Sequence, residues 1–160
     1  MNKTILAACS AILLTGFSAQ AEMTLDASGT ATGTSQNSFT VLGENHIIVK
    51  ANSTYEKLMM KDASHPYNGM SGECFGSFEM KIPSAAGSGS CIFSDDEGNV
   101  SASRFEVTGM TAEGAITGTW SLLGGTGKFE GATGGGRFHN MSDREAGTFE
   151  NTIAGAMNMQ

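Results

Sequence analysis

The chain has 160 residues and a formal charge of −7, with only 16% charged residues, 22 glycines, ten methionines and one tryptophan. That length suits one small domain with a sizeable core and leaves no room for a second. An acidic chain without a basic stripe argues against nucleic acid and against anionic lipid as partners.

In chain order, the first segment reads as an export signal. Lys3 follows the initiating methionine, Ile5 to Phe17 is largely apolar, and Ser18-Ala19-Gln20-Ala21 ends in the small-x-small pattern of a signal peptidase site. The apolar run is too short and wrongly flanked for a membrane span. Residues 1–21 are therefore expected to be a signal peptide cut after Ala21, giving a periplasmic or secreted protein with no membrane insertion. Leu6-Ala7-Ala8-Cys9 mimics a lipoprotein box, but almost no hydrophobic segment precedes it. Losing Lys3 moves the charge from −7 to −8.

Residues 22–36, rich in Thr, Ser, Gly and Ala, read as a flexible arm or a weak first strand ahead of a domain over 37–160. From there helical periodicity is almost absent, and glycine interrupts nearly every candidate. Phe39-Thr40-Val41 and His46-Ile47-Ile48-Val49 flank a tight turn at Gly43-Glu44-Asn45, the second strand running on toward Met59. Cys74, Gly76, Phe78 and Met80 alternate, and Pro83–Gly87 reads as a turn region. Gly89, Cys91 and Phe93 share one face of the next strand, which Asp95-Asp96-Glu97-Gly98 closes. Phe105 and Val107, then Ile116, Trp120 and Leu122, mark two more, and Arg137–His139 and Thr148–Met157 finish the chain. Short strands with near-regular turn signals are the pattern of a barrel or sandwich, and a glycine-rich sheet benefits from closure.

After export two cysteines remain, neither in a CxxC pair, and in an oxidising compartment a pair reads first as a disulfide. If Cys74 faces Cys91, Phe78 falls opposite Gly87, Met80 opposite Ala85, and the chain reverses between Ile82 and Pro83. Two buried free thiols on neighbouring strands are the alternative.

The stretch Gly124–Phe138 packs seven glycines into fifteen residues and still spaces Phe129 and Phe138 like core positions. A phosphate loop would need a helix after its glycines, where more glycines follow instead. A linker would leave both phenylalanines bare, so the stretch reads as a tightly curved β-corner. Gly118-Thr-Trp-Ser-Leu-Leu-Gly-Gly-Thr-Gly-Lys-Phe-Glu-Gly-Ala-Thr-Gly134 resembles the GGTGKF signature of the dirigent and allene oxide cyclase-like barrels, a superfamily with many small exported bacterial members of unknown role. The close match covers about twenty residues around the corner, with looser agreement over Cys91–Val107. The resemblance implies an all-β fold, an eight-stranded antiparallel β-barrel. Barrels of this kind often trimerise, so it also leaves a homo-oligomer open. The acidic, tyrosine and asparagine residues with which plant members work have no matching motif here.

Small barrels either fill with side chains or hold one small ligand. The leading expectation is therefore non-covalent binding of a small, largely apolar molecule, with Phe78, Phe93, Phe105, Trp120 and Phe129 lining the interior. A cyclase or isomerase using Arg104 or Glu106 as a polar handle is one alternative, although both share a parity opposite to Phe105 and Val107. A structural or partner-binding envelope protein with a filled core is the other. Glu113, Glu130 and Glu150, on or beside strands, read as solvent-facing. No cofactor or metal is expected. Asp95-Asp96-Glu97-Gly98-Asn99 departs from a calcium loop and reads as a hairpin turn. The methionines, with His46, His65 and His139, read first as gap fillers rather than copper ligands.

Overall fold

The computed structural model describes residues 23–160; the expected signal peptide lies outside them. Ten strands follow one another: β1 (Met23–Asp26), β2 (Gly29–Ser35), β3 (Ser38–Gly43), β4 (His46–Met60), β5 (Ser71–Lys81), β6 (Ser84–Ser94), β7 (Val100–Met110), β8 (Ile116–Gly125), β9 (Thr133–Asp143) and β10 (Thr148–Met159). Among the described residues the helical content is one 3₁₀ turn at Gly127–Phe129, and no helix is long and apolar enough to cross a membrane.

The sheet closes on itself. Its order runs β10, β2, β4, β5, β6, β7, β8, β9 and back to β10, an eight-stranded antiparallel barrel. β1 continues β2 along β10, and β3 continues β2 along β4, so the three short strands lie end to end as one broken stave. The stretch read as an arm or a weak first strand is thus built into the wall. Closure pairs every stave of the ring on both sides, which removes most of the exposed edge.

The abundance of glycine has a packing reason. Phe149 lies opposite Gly33, Phe93 opposite Gly72, Phe78 opposite Gly87, Phe105 opposite Gly89 and Phe138 opposite Gly118. A Cβ on Gly118 would stand 2.7 Å from Phe138 Cε1, and one on Gly72 2.6 Å from Phe93 Cδ1. These rings lie on bare backbone across the strand, a pairing that fills a narrow, strongly curved interior without overcrowding it.

The Cys74–Cys91 disulfide joins β5 to β6. The register about it sets Phe78 against Gly87, Met80 against Ala85 and Lys81 against Ser84, so the reversal takes only Ile82 and Pro83. Ser84–Gly87 belong to β6 rather than to a longer turn region.

One end of the barrel carries the hairpin turns after β3, β5, β7 and β9. There Val49, Met80, Ala85 and Val107 form a small buried cluster. The other end is closed by residues 61–70, the β6–β7 turn and the glycine corner, around a larger core containing Leu58, Tyr67, Met70, Phe129 and Met157.

The corner is locked from two sides. Gly127 has a φ of +58°, and the Thr126 N–H donates to Val100 O at 2.8 Å. Asn99 Oδ1 accepts the Lys128 N–H at 3.3 Å, while its Nδ2 donates to Asp95 Oδ2 at 2.9 Å. Lys128 Nζ sits 2.7 Å from the same carboxylate. Asp95 Oδ1 also accepts the Glu97 and Asn99 N–H groups, and Gly98, at φ +82°, closes the turn. The acidic run is therefore a hairpin whose carboxylate is engaged by its own turn and by the lysine of the corner.

Candidate functional site: the barrel lumen

Between the two cores the inward faces of the strands leave a cavity of about 150 Å³. The staves β5 to β8 supply an apolar arc that includes Phe78, Phe93, Phe105, Val107, Ile116 and Trp120. The adjoining staves contribute a polar arc: Ser35 and Asn37 around β2, Ser53 and Tyr55 on β4, Asn140 and Ser142 on β9, and Asn151 on β10. Among the described residues no charged side chain lines the cavity.

Burial decides the protonation of its two phenols. Loss of water pushes the Tyr55 hydroxyl up to about 12, against a partly opposing hydrogen bond from Asn151. The Tyr67 hydroxyl, bonded to Ser101, is pushed up to about 12 for the same reason. Both remain neutral donors near pH 7, because a buried phenolate would lack solvation.

Four of the five aromatic residues expected in the interior, Phe78, Phe93, Phe105 and Trp120, line this cavity. Phe129 does not. It is fully buried beneath the corner with its ring 5.3 Å from that of Tyr67, because the 3₁₀ turn directs it into the end core. Arg104 and Glu106 are also elsewhere. They stand 3.6 Å apart on the outer wall, both more than half exposed, since strand alternation sends them away from Phe105 and Val107. Glu113, Glu130 and Glu150 are likewise exposed.

The histidines and methionines are dispersed. Met157 is in the end core, whereas Met141 is exposed on β9 and His46 lies against Glu79 at the hairpin end. Among the described residues no three His, Cys, Asp or Glu side chains gather as a metal site.

Phe138, spaced like a core position in the sequence, also lines the cavity, whereas Tyr55, Tyr67 and Asn151 are lining residues that the strand pattern did not single out. Tyr55 shares the parity of Val49 in β4, which is a usable signal. Leu58 then points inward as well, because the register shifts by one residue opposite Thr32 and Gly33. Tyr67 comes from a loop, where alternation carries no information.

No family model and no curated protein matches the sequence. Solved structures do. The pterocarpan synthase dirigent protein GePTS1 aligns over 96% of this chain and 100% of its own, with a TM-score of 0.51 at 16% identity. The pterocarpan synthase dirigent protein PsPTS1 aligns over 90% of this chain and 98% of its own, with a TM-score of 0.47 at 13% identity. At such identity the likeness to GePTS1 concerns architecture alone. The chain has the fold of the dirigent β-barrels.

Proposed function

We propose that the protein is exported, with cleavage after Ala21, and binds one small, largely apolar molecule non-covalently inside its barrel. The observation that carries this reading is the lumen: an uncharged cavity of about 150 Å³ walled by aromatic rings and backed by a few polar groups. An engineered apolar cavity of about that size binds benzene, so the ligand is about one ring in bulk. A site of this composition gains from apolar burial and uses its polar groups for orientation.

Catalysis has less support. The proposed polar handle, Arg104 with Glu106, is on the outer wall, and the phenols of the lumen are poor acids and bases near neutral pH. A filled core is disfavoured by the cavity itself.

Trp120 is the single tryptophan and lines the cavity, so its emission is a direct reporter. Titration of the mature protein with toluene should change that emission saturably. No change up to the solubility limit, with calorimetry also showing no heat of binding, would contradict the reading.

A further inference from the structure

Of the described residues that line the cavity, Ser142 alone is exposed. Both ends of the barrel are otherwise sealed. Val49 and Met80 are 1% and 4% exposed in the hairpin-end cluster, and Phe129 and Met157 are fully buried at the other end. Around Ser142 the wall runs out of partners. β8 pairs with β9 only as far as Asn140, and β10 pairs with β2 only as far as Thr34. Residues 141–143 and the whole of β3 are therefore each left with one unpaired edge. Ser35 and Asn37, where β2 gives way to β3, line the facing side of the cavity. A mouth lies between that junction and the end of β9.

Phe39 stands at this mouth. It pairs directly with Val49 and so shares the inner face with that buried residue, yet it remains 45% exposed. An inward phenylalanine stays wet where the interior opens. Its ring is covered by Arg144, from the β9–β10 turn, whose Cζ lies 5.2 Å from the ring centre. Arg144 joins no ion pair among the described residues. β3 is otherwise lightly held. All six of its residues are exposed, its register with β4 slips between Val41 and Gly43, and it has no second neighbour. The Ser35 N–H donates to Gly147 O at 2.8 Å, which anchors the base of β3 against the same turn and leaves its far end free to swing. Segments with so little buried contact open locally at small cost.

Resting on the binding reading above, we infer that ligands enter and leave the lumen through this mouth and that β3 is its gate, Phe39 being the leaf and Arg144 the latch that holds it shut. Neither side chain lines the cavity, so the gate governs the rates of entry and exit rather than the strength of binding. Parting Phe39 from Arg144 costs one exposed cation–ring contact and leaves the pairings of β10 with β2 and β9 intact. A latch of that strength slows exchange without preventing it.

The test is stopped-flow measurement of Trp120 emission as toluene and benzyl alcohol, two single-ring probes, bind to and leave the mature, disulfide-intact protein. Arg144→Gln should raise the association and dissociation rate constants together by about twofold to fivefold, the worth of an exposed cation–ring contact, with Kd unchanged within about twofold. Phe39→Ala should accelerate both at least as much, and Arg144→Lys, which keeps a cation, should fall between Arg144→Gln and the parent. Asn68→Ala frees the Met60 N–H held at 3.0 Å in the cap of the opposite end, and it should leave both rates as in the parent. Rates unchanged in Arg144→Gln and Phe39→Ala, or raised by Asn68→Ala alone, would overturn the gate while saturable binding stood. A weaker Kd with an unchanged association rate would overturn it too, since it would make these side chains binding contacts. If neither probe binds the parent, the binding reading fails and the gate with it. Should Phe39→Ala not fold, the exposed Arg144 series decides.

Discussion

Gly127 offers a quantitative test of how the corner is held. Its φ of +58° lies in the left-handed region, where a residue with a Cβ is disfavoured by about 1–2 kcal/mol. A Cβ there would also overlap Asn99 Oδ1 and displace the amide. That amide accepts the Lys128 N–H across the corner at 3.3 Å and donates within its own turn to Asp95 at 2.9 Å and Glu97 at 3.2 Å. The first two are each worth about 1 kcal/mol net. Gly127→Ala should therefore cost about 2–4 kcal/mol in the parent. Asn99→Ala alone should cost about 1–2 kcal/mol, and in that background the steric part disappears. Gly127→Ala should then cost only the backbone term, giving a coupling of about 1–2 kcal/mol. Urea unfolding of the disulfide-intact protein, followed by Trp120 emission, measures all four corners of the cycle. An equal cost in both backgrounds would refute the claim that the glycine exists to admit Asn99.

Phe129→Ala should destabilise by about 3–5 kcal/mol in the same assay, because the ring is fully buried beneath the corner. Thiol titration of the unfolded, unreduced mature protein should find no reactive cysteine, and reduction should cost about 3 kcal/mol at most for so short a loop. Burial holds the His65 imidazole below its ordinary value, with Asp62 and Asp26 opposing weakly, and its Nδ1 accepts the Tyr67 N–H at 3.1 Å. The unfolded chain therefore binds this proton first. Its stabilising contribution is complete above about pH 6.5 and falls as pH drops toward the depressed folded value. Comparing urea midpoints of the parent and His65→Gln between pH 7.5 and 5 checks this, and parallel profiles would exclude His65 as a source of acid sensitivity.

Much of the wall was legible because its signals are local and periodic. Alternation placed Phe78, Phe93, Phe105 and Trp120 on the inner face, and the same parity put Arg104 and Glu106 opposite them. The cysteine pair set the β5–β6 register, since one bridge fixes every other pairing in a hairpin. The glycine corner was legible for a different reason, in that few structures tolerate such a run while retaining two phenylalanines at core spacing. What escaped depends on tertiary context. The register shift opposite Thr32 and Gly33 turns Tyr55 and Leu58 to the same side, and alternation alone cannot show it. The segment from Lys61 to Met70 has no period, yet it closes one end of the barrel and sends Tyr67 into the lumen. Phe129 was read as a core position of the glycine corner lining the interior, whereas a single 3₁₀ turn aims it into the end core rather than the chamber.

The central claim is that the barrel is a container for a small molecule, and native mass spectrometry of the protein purified from its own exported compartment addresses it most directly. The account predicts a chain beginning at Glu22, two mass units lighter than its reduced form for one disulfide. It also predicts one small adduct per barrel, released on unfolding and absent when Ser103→Trp fills the lumen. A bare chain that also takes up none of the single-ring probes would contradict it.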